Sequence, residues 1–335
     1  MKLEGKITKI LANFYYVQDK DGKTWECFAR ARLLKEGKFL FVGDELEIET
    51  TGKNQGVIVD LINRRNKITK PPMANVDQVI IVFSTCEPEF DFYNLDRYLS
   101  YVRYELPNDK TIICLNKIDL LNFNITNVYK KSNCDIFYVS ALTREGLDNL
   151  VLELTEKVSV LTGPSGAGKS SLIKALVPEA DIKIGSITLT KQGTHTTRNI
   201  QLIPIKTNAF IVDTPGFTQI SFNGLDNFKI LNTFPELVNL GCNFSNCLHS
   251  GEDGCKLIKL IESGLVPESR YKSFLRILDE SKSEVVYGKK QETKIKLVGG
   301  RKEKSKLLPK INAATRTKSR KKQKQELLKL EEMQD

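Results

Sequence analysis

The chain has 335 residues, 40% of them hydrophobic and 27% charged, which suits two or three globular domains and excludes general disorder. The formal net charge is +10, yet residues 289–335 hold 16 Lys+Arg against 6 Asp+Glu, leaving 35 of each sign in residues 1–288. No apolar run approaches the roughly 18–20 residues of a membrane span, and the opening residues lack a secretory pattern, so a cytoplasmic protein without membrane attachment is expected.

Residues 1–30 already alternate like strands, and Asn13–Val17, Thr24–Arg30, Glu45–Glu49 and Gly56–Ile62 are β-rich segments separated by turn residues such as Asp21–Gly22 and Gly43–Asp44. Five short strands in about 65 residues predict a small barrel of the OB or SH3 type over residues 1–68. Such barrels bind RNA or serve as docking modules, and the pattern does not choose between them. Pro71–Pro72 marks a stiff boundary. Beyond it, apolar strands (Gln78–Ser84, Thr111–Leu115, Ile136–Ser140, Val158–Leu161, Ile200–Ile205, Ala209–Val212) alternate with helical stretches, including Arg144–Lys157. This predicts an α/β domain over residues 69–222 with a mostly parallel sheet. Residues 223–288 read as helical around a Cys/His cluster, and 289–335 as a basic tail without aromatic residues, disordered except for a short helix over Lys324–Glu332.

Gly163–Pro164–Ser165–Gly166–Ala167–Gly168–Lys169–Ser170 fits the phosphate-loop pattern G-x-x-x-x-G-K-[ST], with a strand before it and a helix from Ser170 to Leu176 after it. Glycines let successive N–H groups wrap the phosphates, with Ser171 continuing the helix start. Lys169 is expected to neutralise the β/γ-phosphates, and the Ser170 hydroxyl to hold Mg²⁺.

The loop alone does not distinguish ATP from GTP. Asn116–Lys117–Ile118–Asp119, after the strand Thr111–Leu115, does. The Asp119 carboxylate can accept from both the ring N–H and the exocyclic amine of guanine, a pattern adenine lacks. Asn116 and Lys117 would brace the loop and cover the base, and Ser140–Ala141–Leu142 offers backbone contact to the guanine oxygen.

Asp213–Thr214–Pro215–Gly216 follows the strand Ala209–Val212. Asp213 is expected to hold Mg²⁺ through water, and the Gly216 N–H to sense the γ-phosphate. Between these motifs lies Gly193–Thr194–His195–Thr196–Thr197–Arg198, where Thr197 or Thr196 is placed to close on Mg²⁺ when γ-phosphate is present. The residue after D-T-P-G is Phe217, which cannot orient an attacking water, so slow intrinsic hydrolysis is expected and His195 becomes the candidate catalytic group. In ordinary GTPases the phosphate loop comes first and N-K-x-D late. Here residues 116–119 and 140–142 precede residues 163–170, so the order is circularly permuted.

Of seven cysteines, Cys27, Cys86, Cys114 and Cys134 read as small buried apolar residues. Cys242, Cys247 and Cys255 cluster with His249, an arrangement that suits a closed, structural tetrahedral Zn²⁺ site in a reducing compartment.

Together these motifs, with Asn75–Val76–Asp77–Gln78, resemble the RsgA (YjeQ/YloQ) family of GTPases over about residues 1–285. The resemblance implies an N-terminal OB domain, a permuted GTPase centre and a C-terminal zinc domain with Cys242, Cys247, His249 and Cys255 as ligands. It further implies a monomer that cycles between GTP and GDP, acts on the 30S ribosomal subunit and its 16S rRNA in late maturation, and dissociates after 30S-stimulated hydrolysis. Lys70 stands where many members have arginine, and the tail exceeds the C-termini of many relatives.

Overall fold

The computed structural model describes residues 1–68, 72–177, 200–205, 209–213, 220–252, 254–282, 295–298 and 306–309. Residues 1–283 form one compact unit and 284–335 a second.

The first unit opens with β1 (Lys2–Leu11), β2 (Phe14–Asp19) and β3 (Thr24–Ala29), then helix α1 (Ala31–Lys35), β4 (Glu45–Gly52) and β5 (Gln55–Leu61). They close a barrel in the order β1-β2-β3-β5-β4, with β3 and β5 parallel and the other pairs antiparallel. Alternation sends Ile7, Val17, Trp25, Cys27, Leu46, Ile48 and Ile58 inward, where all are buried. β1 bends through an irregular register between Ile7 and Lys9, which lets one ten-residue strand pair with both β2 and β4. Gly5 is needed there, because a Cβ would lie 2.5 Å from Val17 Cγ1.

A two-stranded ribbon, β6 (Lys67–Ile68) with β7 (Met73–Ala74), leads to the nucleotide-domain sheet. Its elements follow as β8 (Gln78–Ser84), α2 (Phe92–Glu105), β9 (Lys110–Asn116), α3 (Thr126–Tyr129) and β10 (Asp135–Tyr138). Next come α4 (Leu147–Leu154), β11 (Val158–Thr162), α5 (Lys169–Leu176), β12 (Ile203–Ile205) and β13 (Ala209–Asp213). The order is β10-β9-β8-β11-β13-β12, parallel except for β12. β8 and β11 are buried along their whole length, which fits their mostly apolar sequences.

Two expected elements are shorter. The segment read as a strand over Ile200–Ile205 divides. Gln201 pairs with Lys9 of the barrel and the Leu202 N–H donates to the Thr8 carbonyl (2.8 Å), leaving three residues for β12. The helix expected over Arg144–Lys157 starts only at Leu147, because Gly146 takes a positive φ of 72° where a Cβ would lie 2.1 Å from the Tyr138 carbonyl oxygen.

The remaining part of this unit is α6 (Asn227–Asn232), a 3-10 turn (Pro235–Leu237), α7 (Leu257–Glu262) and α8 (Glu268–Lys282). Phe274, Ile277, Leu278 and Ser281 line the buried face of α8 at helical spacing. The fully buried Arg270 of α8 pairs with Asp96 of α2 and with Glu236 (2.5 Å), so this helical part is bolted to the nucleotide domain through charge as well as apolar packing. In the second unit, β14 (Ile295–Val298) and β15 (Lys306–Pro309) pair antiparallel. The expected helix over Lys324–Glu332 lies outside the described residues. Among the described residues no helix is long and apolar enough to cross a membrane.

Candidate nucleotide site and metal cluster

The carboxyl ends of parallel strands are where open α/β sheets bind ligands. Here β9 ends in Asn116, β10 leads to Ser140, β11 leads to Gly163, and β13 ends in Asp213. Motifs far apart and permuted in sequence thus share one sheet edge.

The loop between β11 and α5 turns through positive φ at Gly163 (138°), Gly166 (82°) and Gly168 (89°). Two of these glycines are obligatory by contact as well. A Cβ at Gly163 would sit 2.1 Å from the Val82 carbonyl oxygen, and one at Gly168 would sit 2.3 Å from Asn116 Nδ2. Lys169 Nζ donates to the carbonyls of Gly163 (2.9 Å) and Pro164 (2.8 Å), so its ammonium lies over the loop. Ala167 is buried and Ser170 half-buried, while Ser165, Gly166 and Ser171 are exposed to solvent.

Asn116, only 1% exposed, connects three motifs. Its Nδ2 donates to the Ala167 carbonyl of the phosphate loop (3.0 Å), and its Oδ1 accepts from the Ala141 N–H of the S-A-L loop (3.0 Å). An amide is the group that can donate to one side and accept from the other; Asp or Leu in its place cannot do both. Ser140 is buried and its hydroxyl oxygen accepts from the N–H groups of Leu142 (3.2 Å) and Thr143 (3.0 Å), shaping the loop beside the expected base. Lys117 adopts a positive φ of 66° and donates from Nζ to the Glu87 carbonyl, and Asp119 is exposed.

Sequence reasoning missed Thr85. It is buried just beyond β8, donates from Oγ1 to the Lys117 carbonyl (2.9 Å) and from its N–H to the Asn116 carbonyl (3.1 Å), and so holds the base loop from below. Its only sequence signal is its position after a strand, which acquires meaning once β8 and β9 are known to be neighbours.

Asp213 closes β13 opposite Leu161 in register. Gly193, His195, Thr196, Thr197, Gly216 and Phe217, and with them the expected catalytic and γ-phosphate-sensing groups, lie outside the described residues.

The Cys/His cluster is assembled as its spacing suggests. One ligand atom from each of Cys242, Cys247, His249 and Cys255 lies within 4.8 Å of all the others. His249 Nε2 is 2.9 Å from the Leu237 carbonyl, which can only accept, so Nε2 carries the proton and Nδ1 turns its lone pair to the sulfurs. Nδ1 lies 3.7, 3.4 and 3.3 Å from the sulfurs of Cys242, Cys247 and Cys255, and the sulfurs of Cys242 and Cys255 are 4.0 Å apart. A tetrahedral Zn²⁺ with these donors places N and S about 3.5 Å apart, and S and S about 3.8 Å apart, so the residues fit the ion. Burial pushes the Cys247 thiol up to about 12 and raises that of Cys255, so a cation binding here would have to displace the protons of these two thiols. The Lys256 N–H donates to Cys242 Sγ (3.4 Å), Tyr271 donates from its hydroxyl to the His249 carbonyl (2.8 Å), and Glu252 accepts from the N–H groups of Leu248 (3.0 Å) and Ser250 (2.7 Å). Of the scattered cysteines, Cys27 and Cys114 are buried as expected, whereas Cys86 and Cys134 are half-buried.

A five-stranded barrel, a nucleotide sheet whose guanine motifs precede its phosphate loop, and a helical part with a Cys/His cluster define a circularly permuted GTPase. Comparisons with known proteins agree. A family model described as the RsgA N-terminal domain matches residues 4–58, and one described as RsgA GTPase matches residues 61–223. A protein of Geobacillus kaustophilus named small ribosomal subunit biogenesis GTPase RsgA is 37% identical over 289 residues, 83% of this chain and 97% of that protein. One of the same name from Caldanaerobacter subterraneus subsp. tengcongensis is 34% identical over 288 residues, covering 84% and 96%. Among solved structures, YjeQ from Thermotoga maritima aligns with a TM-score of 0.72 at 29% identity, covering 84% of this chain and 98% of that one. YloQ, titled a circularly permuted GTPase, aligns at 0.69 and 28%, covering 85% and 98%. The chain belongs to the RsgA family and is a GTP hydrolase.

Proposed function

We propose that this GTPase acts on the small ribosomal subunit during its biogenesis, binding the 30S particle and its 16S rRNA with GTP, hydrolysing the nucleotide on the particle and dissociating with GDP. The observation that carries the nucleotide half is the Asn116 bracket, which holds the base loop, the S-A-L loop and the phosphate loop at one sheet edge. The ribosomal half rests on the relatives' shared name and on coverage of nearly their whole length.

In this reading Asp119 accepts from the guanine edge, Lys117 covers the base, and Ala141 offers its backbone to the guanine oxygen. The N–H groups of residues 163–171 and the Lys169 ammonium hold the phosphates. Ser170, Thr197 and Asp213 would hold Mg²⁺, which when bound offsets charge on the β/γ-phosphate oxygens. His195 would orient or deprotonate the attacking water, and the Gly216 N–H would sense the γ-phosphate. Cys242, Cys247, His249 and Cys255 would hold one structural Zn²⁺ that braces the helical part. The protein is expected to work in the cytoplasm as a monomer.

The test is hydrolysis with purified particles. Turnover should rise strongly with 30S subunits and little with 50S subunits or free RNA. Absence of 30S stimulation would overturn the ribosomal reading. His195→Ala should lower turnover with GTP affinity near normal, and unchanged turnover would remove its catalytic role.

A further inference from the structure

The segment Asn75–Val76–Asp77–Gln78 has no part in nucleotide chemistry, yet every one of its residues spends a polar group on a joint. Asn75, buried with a positive φ of 55°, donates from Nδ2 to the Gly43 carbonyl of the barrel (3.1 Å) and accepts at Oδ1 from the Arg65 N–H (2.9 Å). Val76 pairs through both backbone groups with the side chain of Asn66 (2.9 and 2.6 Å). Asp77 takes both backbone groups of Val158, its N–H donating to the carbonyl (3.0 Å) and its Oδ2 accepting from the N–H (2.8 Å). Its other oxygen, Oδ1, accepts from Arg65 Nη1 (2.7 Å). Gln78 donates to Ser159 Oγ (3.0 Å) and to the Glu153 carbonyl (3.1 Å).

Val158 is the first residue of β11, the strand that ends at the phosphate loop. Arg65 stands between the barrel's last strand and the ribbon. One carboxylate therefore grips the root of the phosphate-loop strand with one oxygen and the barrel's exit with the other. β11 lies between β8 and β13, so a shift at Val158 is passed along a packed strand instead of being absorbed in a loop. A second contact points the same way. Barrel residues Thr8 and Lys9 pair with Leu202 and Gln201, in the segment leading to β12.

We infer that Asp77 is a positioning residue for the phosphate loop and that the Arg65–Asp77 pair couples what the barrel binds to the state of the nucleotide site. The inference rests on the proposed binding of the small subunit, and the test separates the two. Arg65 is 58% exposed on its side chain, and ion pairs at such exposure contribute little to stability, so removing it spares the fold.

The measurement is a reciprocal one: affinity for a non-hydrolysable GTP analogue with and without 30S subunits, and affinity for 30S subunits with that analogue and with GDP. Linkage requires the two ratios to agree, and allosteric couplings are commonly about 5–150-fold. Arg65→Ala should bring the ratio to within about twofold of one, with affinity for the analogue alone unchanged, and Arg65→Lys should restore part of it. Asp77→Ala should lower the ratio and also weaken the analogue in the absence of subunits, because the Val158 N–H loses its side-chain acceptor. A ratio unchanged in Arg65→Ala overturns the inference. That includes the case where subunit binding weakens equally in both nucleotide states, as loss of a direct RNA contact would produce. A wild-type protein that does not bind 30S subunits overturns the functional reading instead.

Discussion

The nucleotide site and the Cys/His cluster are built in opposite ways. The cluster draws its ligand atoms from one short stretch, Cys242 to Cys255, with one outside group, the Leu237 carbonyl, setting the His249 ring. The nucleotide site draws on the loops after β9, β10 and β11, and the bonds that tie those loops together join residues tens of positions apart: Asn116 with Ala167, Thr85 with Lys117. A local site depends on a few neighbouring residues of one segment. A dispersed site depends on the sheet that aligns it, and single bridging side chains bear much of the alignment.

The largest break is expected at the cluster. Structural zinc sites hold their ion with about 10–16 kcal/mol of apparent free energy, so Cys247→Ala or chelation should take bound zinc from one equivalent to near none. The helices from α6 onward should lose thermal stability, while GTP binding persists because no nucleotide motif lies in the 242–255 loop. Metal analysis and nucleotide titration on the same sample check both halves. Should chelation abolish GTP binding too, the two regions are not separable as described.

At the nucleotide site, Asn116→Ala orphans a buried carbonyl and a half-buried N–H at once. At about 1–3 kcal/mol per buried unsatisfied group, GTP affinity should fall by roughly two orders of magnitude by titration, with zinc content unchanged. Asp119→Asn is milder. An amide offers a donor where guanine needs an acceptor, so GTP binding should weaken by about 1–3 kcal/mol and selectivity over xanthosine triphosphate should shrink.

Smaller effects sharpen the contrast among cysteines and at the tail. Burial pushes the thiols of Cys27 and Cys114 up to about 12. Both are therefore neutral near pH 8, and mass spectrometry should find them unmodified by a thiol-alkylating reagent while half-buried Cys86 reacts. Deleting residues 284–335 removes most of the chain's surplus positive charge. It should flatten the salt dependence of 30S binding and leave GTP hydrolysis intact. An unchanged salt slope would make the tail a bystander to binding.

Much of this was legible in the sequence because the functional signals are local. A phosphate loop needs glycines at fixed positions, guanine selection needs a carboxylate two residues after a lysine, and a tetrahedral metal needs thiolates and an imidazole within reach. What escaped was contact between strands distant in sequence. Thr85 and the Val82 carbonyl that makes Gly163 obligatory carry no local mark. The division of Ile200–Ile205 was invisible for the same reason, since its first half is claimed by a barrel strand nearly two hundred residues earlier.

By itself, then, the sequence determined the chemistry: guanine nucleotide, phosphate loop, a Cys/His cluster suited to a metal, and a positive surplus confined to the last 47 residues. It also determined that the motifs are permuted. Only the tertiary structure decided that permutation still brings the base loop, the S-A-L loop and the phosphate loop together, because a parallel sheet delivers its strand ends to one edge whatever order the chain visits them. It alone decided, too, that Asn116 joins three loops and that Asp77 joins the barrel to the phosphate-loop strand. Hydrogen bonds are fixed by distance in space, and spacing along the chain encodes that distance only within a turn or a loop.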